Sequence, residues 1–230
     1  MKTPWKMTAK AADTLEIYLY DEIGDSGWGD GTTAKQFAQD LKDAGAVKNI
    51  LMRVNSPGGS VFDGITIFNT LLAHGAKITA QVDGLAASIT SCIIMAASEI
   101  SMCENAMMMV HNPHAFIGGD SNDLRKLAET MDKVKGSMIL AYQRHTKMSA
   151  EEIGSLMSAE TWMTATEACN KGFAESVLNA DAVPLAAIDI SKFKSVPAAI
   201  AARLQRPAPA IDIESVRLRQ RDRIELEKRL

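Results

Sequence analysis

"VDGLAASITS", residues 82–91, places a serine, Ser88, behind a glycine and two alanines and ahead of an apolar run. The preceding "KITAQV", residues 77–82, reads as a short strand. The following "SITSCIIMAASE", residues 88–99, is apolar nearly all round, which predicts a buried helix. Ser88 therefore stands where a strand ends and a helix begins. In a doubly wound α/β fold reactive groups collect at that place. The free N–H groups and dipole of a helix start favour developing negative charge there. Gly84, Ala86 and Ala87 read as residues that permit a tight turn and let a substrate backbone approach. The competing reading is an ordinary helix N-cap.

Outward from this stretch, strand and helix patterns alternate from about residue 15 to 185. "LEIYLYDEI" is a strand, and "GDGTTAKQFAQDLKDAG" a helix with Thr33 and Gln36 as a capping box and Gly45 as its stop. "VKNILMRVNSPGG" is a strand running into a turn, and "VFDGITIFNTLLAHG" a helix ending on Gly75. "ISMC" and "AMMMVHNP" read as short strands. Leu124, Leu127, Met131, Val134, Met138 and Tyr142 recur at three- and four-residue steps, so residues 121–146 read as one long helix with a single apolar stripe. Ser149 with Glu152, and Thr164 with Glu167, open two more helices, the second closing near Gly172. This alternation predicts an α/β fold with a mainly parallel sheet.

The 230 residues allow one large domain or one domain with an appendage. Apolar residues make up 47% and charged residues 23%, enough for a core without staples. A net charge of −3 argues against nucleic acid or an anionic membrane as the main partner. Cys92, Cys103 and Cys169 have neither metal-ligand nor disulfide-framework spacing, which predicts reduced thiols in a cytosol-like compartment. "MKTPWKMTAKAADT" has no apolar stretch of the signal-peptide kind, and no window approaches a membrane span. Residues 1–14 are read as an N-terminal segment, 15–190 as the main domain, and 191–230 as an Ala/Pro-rich linker and a densely charged tail. The tail reads as a solvated helix or disordered segment, or as one that becomes helical against a partner.

Two further stretches carry chemistry. "NSPGGSVFDG", residues 55–64, also lies at a strand's carboxyl end. Pro57 fixes one φ, and Gly58 and Gly59 allow φ > 0, so the turn can aim a backbone N–H at a carbonyl oxygen. A plain turn capped by Ser60 or Asn55 is the simpler alternative. In "MMMVHNP" an apolar strand ends on His111. A serine hydroxyl needs an adjacent base, and histidine, with an ordinary pKa near 6.5, is the usual one. The alternative is a hydrogen-bonded core histidine. His74 and His145 sit at expected helix ends and His114 in a loop-like segment.

The order strand–SPGG–helix, strand–GLAAS–helix, strand–MMMVHNP, long helix resembles the Clp-type serine peptidases, the ClpP family. The resemblance covers about residues 15–180 and is carried by "NSPGG", "DGLAAS", "MMMVHNP" and "ETWMTATEACNKGFAE". "YLYDEIGDSGWGDGTTAKQF" and "ETWMTATEA" look most like the phage and prophage head-maturation proteases of that family. The resemblance implies a ClpP/crotonase-like superhelix of repeated β-β-α units with a protruding handle helix at 121–146, through which rings of subunits meet. It implies Ser88 as nucleophile and His111 as general base. It implies the backbone N–H groups of Gly59 and Ile89 as the oxyanion hole. A polypeptide substrate would lie as an extended strand beside the segment after Gly59 and beside "HAFIGG". No metal and no cofactor are implied.

Two departures stand out. Counted without gaps from "RHTKMSAEEI", the family's triad aspartate falls on Leu156, which cannot orient an imidazole; Ser158 and Glu160 are the nearby polar candidates. The N-terminal segment shows no match to the family's axial loops, so a Clp ATPase partner is not supported. The expectation is an ATP-independent or partner-assisted serine endopeptidase in homo-oligomeric rings. It would act in the bacterial host cytoplasm or a procapsid, on phage capsid or scaffold protein. Two alternatives stay open: an inactive scaffold or shell subunit, for which Leu156 speaks, and a crotonase-type acyl-CoA enzyme, which shares the superfold and the paired N–H groups.

Overall fold

The computed structural model describes residues 5–11, 13–24, 33–179, 193–198 and 201. The charged tail and most of the glycine-rich stretch at 24–31 lie outside them.

Strand β1, Trp5–Ala11, pairs antiparallel with β2, Thr14–Leu19. Residues read as an N-terminal segment thus add an edge strand to the sheet. Helix α1, Ala34–Asp43, buries Ala34, Phe37 and Leu41, one face at three- and four-residue steps. Thr33 caps it through Gln36 N–H, but the Gln36 side chain bonds Asp40 instead, so only half of the expected capping box forms. Strand β3, Asn49–Ser56, pairs parallel with β2 and buries Ile50, Met52 and Val54 on alternate positions. Helix α2, Val61–Ala73, is capped by the Ser60 side chain on Asp63 N–H and ends at His74 before Gly75 (φ 77°).

Strand β4, Lys77–Ala87, corrects the reading of the opening stretch. "DGLAA" is not a tight turn: it continues the strand up to Ser88. Burial explains the difference. Along 77–82 the pattern alternates, as in a strand with one covered face, whereas 82–87 is buried at every residue. The sheet forks at this point. One edge of β4 pairs β3 from Lys77 to Val82 and, past a register shift, again at Ala86. The other pairs β5, Glu99–Cys103, over Thr79–Val82, then β6, Met107–Val110, over Leu85–Ala87. Enclosure on both faces calls for side chains without polar groups, which "GLAA" supplies.

Between β4 and β5 run helix α3, Ile89–Ile93, and a 3₁₀ turn, Ile94–Ala96, fully buried as their composition predicts. Helix α4, Ser121–Tyr142, is shorter than the 121–146 expectation. Of its apolar stripe Met138 and Tyr142 reach the core, while Leu124 is 49% exposed. Helices α5, Ala150–Ser158, and α6, Ala165–Asn170, both carry full capping boxes, from Ser149/Glu152 and Thr164/Glu167. Between them β7, Thr161–Thr164, pairs antiparallel with β6, and β8, Ser176–Leu178, pairs parallel with β5. All pairs except β1·β2 and β6·β7 are parallel, so the mainly parallel α/β sheet predicted from the alternation is present.

A buried ion pair braces the fork. Arg53 donates two bonds to Asp83, Nε to Oδ2 at 2.8 Å and Nη2 to Oδ1 at 2.6 Å, and the Tyr20 hydroxyl donates to Asp83 Oδ2 at 2.7 Å. Asp83 is 1% exposed, so its charge depends on these partners. Burial and the bond to Asp83 push the Tyr20 phenol well above its ordinary value.

Candidate active site

Ser88 ends β4 with φ 55° and ψ −131°, a backbone conformation rare for a residue with a Cβ. The sharp strand-to-helix bend that it makes turns the hydroxyl out of the sheet. Its own N–H stays in the ladder, bonded to Met109 C=O at 3.0 Å, and its C=O accepts from Ser91 Oγ at 2.5 Å. Ser91 also bonds the buried Tyr142 hydroxyl at 2.8 Å, which ties the bend to the end of α4.

His111 is brought to Ser88 by register. Ala87 sits opposite Met109 on adjacent parallel strands, so both chains leave the sheet at the same end within two residues. Ser88 Oγ and His111 Nε2 are 2.8 Å apart, and both residues are buried, at 8% and 7% exposure. Burial lowers the His111 pKa to about 4, with His114 and Lys194 acting the same way and Glu160 opposing. At neutral pH the imidazole is therefore uncharged and able to accept a proton.

The "NSPGG" turn passes directly against this serine. Gly58 has φ 93°, and a Cβ there would lie 2.6 Å from Ser88 Cβ and 3.1 Å from Ile89 N. Gly59 has φ 146° and bridges to Ile23. Ile89 opens α3, where a backbone N–H has no intrahelical acceptor. Gly59 and Ile89 thus lie in the two turns that meet at Ser88. Behind them Thr90 Oγ1 donates to Ser56 Oγ at 2.9 Å, which donates to Asp21 C=O at 2.6 Å and accepts from Gly58 N–H at 3.2 Å. Ser56 and Thr90 escaped the sequence reading. Ser56 stood inside a quoted motif, but nothing marks it as the hub of a buried network.

The counted position, Leu156, and the two polar candidates for the far side of the imidazole, Ser158 and Glu160, separate cleanly. Leu156 packs against the core and offers only its carbonyl, to Thr161. Ser158 donates to Gly154 C=O and accepts from Asn112 and Lys135. Glu160, in left-handed backbone (φ 48°), places Oε2 4.0 Å from His111 Nδ1. Burial alone would raise its pKa. The backbone N–H groups of Ser195 and Lys194 and the Ser195 hydroxyl outweigh burial and hold it below the usual value. Glu160 is charged at neutral pH and His111 is not, so the pair becomes ionic only when the imidazole takes up a proton.

His74 ends α2, and His145 bonds Glu175 at 2.7 Å and Ala97 C=O at 3.0 Å. His114 stands edge-on to His111 with ring centroids 5.4 Å apart. From His114 to Asp120 the chain is exposed and carries neither helix nor strand. Cys92 and Cys103 are buried free thiols; burial pushes Cys92 up to about 12, which leaves it inert at neutral pH. Among the described residues no helix is long and apolar enough to cross a membrane.

Comparison with known proteins shows the family of this chain. The family model described as Clp protease matches residues 5–181. The "ATP-dependent Clp protease proteolytic subunit 1" of Protochlamydia amoebophila is 32% identical over 171 residues, 73% of this chain and 82% of that protein. The "ATP-dependent Clp protease proteolytic subunit 2" of Rhodococcus jostii is 31% identical over 134 residues, 57% of this chain and 69% of that protein. A "proteolytic subunit" from Bacteroides fragilis is 29% identical over 133 residues, 57% of this chain and 64% of that protein. With the family model spanning most of the chain, this protein belongs to the Clp protease family of serine-type peptidases.

Proposed function

We propose that this chain is a serine endopeptidase in which Ser88 is the nucleophile and His111 the general base. The observation that carries the reading is the 2.8 Å contact between Ser88 Oγ and a neutral, buried His111 Nε2. His111 takes the Ser88 proton as Oγ attacks a peptide carbonyl. The backbone N–H groups of Gly59 and Ile89 stabilise the oxyanion, and His111 returns the proton to the leaving amine. Water then hydrolyses the acyl-enzyme by the reverse sequence. Glu160 is the third member, stabilising the imidazolium that forms in each half-reaction.

The substrate is a polypeptide bound as an extended strand beside the segment after Gly59 and beside the exposed segment after His111. Clp-family proteins are generally ring assemblies, and α4, whose apolar stripe runs from exposed Leu124 through half-buried Leu127, Met131 and Val134, is the surface through which rings of this chain would meet. The resemblance of "ETWMTATEA" and the 18–37 stretch to phage head-maturation proteases supports capsid or scaffold protein as substrate, in the host cytoplasm or procapsid. The relatives' printed names make their activity ATP-dependent. The N-terminal segment, which the family model takes in from residue 5, shows no likeness to the family's axial loops, and the reading here is ATP-independent or partner-assisted action.

A fluorophosphonate probe tests the reading. Wild-type chain should label at Ser88, and Ser88→Ala should neither label nor process the co-expressed capsid or scaffold protein. Acyl-CoA binding without Ser88 labelling would favour a crotonase-type enzyme. Unchanged processing by Ser88→Ala would leave the chain a scaffold.

A further inference from the structure

The family match ends at residue 181, yet chain beyond it returns to the site. Lys194 N–H donates to Glu160 Oε2 at 3.1 Å. Ser195 donates to Oε1 twice, from its backbone N–H at 2.7 Å and its hydroxyl at 3.2 Å. Phe193 stands edge-on to His111 and to Trp162, with ring centroids 6.0 Å and 5.4 Å apart. Phe193 and Val196 pack on Leu85, Ala87 and Met109. Those three residues face away from the main core, on the side of the fork opposite Ala86 and Met108.

This contact does two separable things. A carboxylate on a left-handed residue at the end of a helix has no fixed direction of its own; three donors from 194–195 give it one. Oε2 takes a single N–H from the segment, so a lone pair remains for His111 Nδ1, and closing 4.0 Å to hydrogen-bond length needs a movement of about 1 Å. Phe193 stands edge-on beside the imidazole, whose side chain is 9% exposed.

We infer that residues 193–196 form a strap that completes the active site, with the Lys194 and Ser195 backbone N–H groups positioning Glu160 beside His111 and Phe193 closing the imidazole from water. The inference rests on the Ser88–His111 reading above. These are positioning residues, since none touches Ser88. The titratable groups facing His111 are His114 on its own loop, Glu160 after α5, and Lys194 on the strap. Removing Phe193 changes the hydration of His111 and leaves those charges in place.

The test uses full-length variants. Ser195→Pro deletes the N–H that Ser195→Ala retains. Phe193→Ala removes the cover that Phe193→Leu keeps. In hydrolysis of a chromogenic peptide, Ser195→Pro should lower kcat at least about tenfold with KM within about twofold, and Ser195→Ala, which loses one of the three donors and keeps both backbone N–H groups, should lower kcat clearly less than Ser195→Pro. In an NMR titration of the histidine ring, Phe193→Ala should raise the His111 midpoint from about 4 towards the ordinary 6.5. The acid limb of kcat/KM should move with it, and Phe193→Leu should restore the wild-type midpoint. A wild-type kcat in Ser195→Pro, or a raised one that makes the strap a brake, overturns the inference. So does an unmoved His111 midpoint in Phe193→Ala. The titration needs no turnover, so a wild-type chain whose Ser88 never labels would sink the peptidase reading separately.

Discussion

The Glu160 carboxylate lies 4.0 Å from His111 Nδ1, while Ser88 Oγ lies 2.8 Å from Nε2 on the other side of the ring. An acid, an imidazole and a hydroxyl thus stand in line, with the acid four residues beyond the position at which gapless counting places it. If Glu160 stabilises the imidazolium, Glu160→Gln should lower kcat by about 10²–10⁴-fold with little change in KM. Ser158→Ala, which leaves Glu160 intact, should change kcat by less than about threefold. Equal rates for wild type and Glu160→Gln on a peptide substrate would remove Glu160 from the mechanism.

His111 also makes stability depend on pH. Its folded pKa is lowered to about 4, from an ordinary 6.5. Between those values the unfolded chain binds more protons than the folded one, so stability rises with pH. This contribution is complete above about 6.5, shrinks as pH falls, and is gone below about 4. The shift corresponds to at most about 3 kcal/mol. Urea midpoints at pH 7 and 5 should differ more for wild type than for His111→Gln, and parallel pH profiles would refute the assignment.

Ser88 keeps left-handed backbone for the sake of its position, at a cost on the order of 1–3 kcal/mol. Ser88→Gly relieves that conformation and Ser88→Ala does not. Both should be inactive, but thermal unfolding should show the glycine variant more stable than the alanine variant by about 1 kcal/mol. The reverse order would mean that the bend is unstrained.

Asp83 and Arg53 brace the sheet where it forks, five residues before the serine. Asp83→Ala leaves the half-buried Arg53 guanidinium with Glu16 alone, whose Oε1 is 3.9 Å away, and should cost up to about 3–5 kcal/mol in urea unfolding. The double change Arg53→Met/Asp83→Leu removes both charges and should recover most of that loss. Failure to recover would show that the pair also shapes the fork.

Gly58 lies so close to the serine that any side chain there must displace it. Gly58→Ala adds a Cβ 2.6 Å from Ser88 Cβ on a residue with φ 93°. Labelling of Ser88 by fluorophosphonate should fall by at least about tenfold, because a 1 Å misplacement at a reacting group costs about 10²-fold. Gly45→Ala, at a helix stop with nothing within 4 Å of the added carbon, should label normally.

The alternation of strand and helix, the glycine stops, two of three capping boxes and the Ser88 and His111 positions are all legible along the chain. They depend on short-range patterns: side-chain periodicity, turn chemistry, and motifs a few residues long. Other features depend on contacts between distant segments. β1 and β7 show no strong strand pattern, because antiparallel pairing with β2 and β6 is what makes them strands. "GLAA" reads as a turn until two strands are placed along the same edge of β4; enclosure on both faces then turns small residues into a strand. Glu160 could not be told from Ser158 by spacing, since a left-handed backbone at Glu160 decides which side chain turns to the imidazole. The strap at 193–196 has no sequence signature, because its donors are backbone N–H groups that every residue but proline carries. What they hold depends on where the fold brings them.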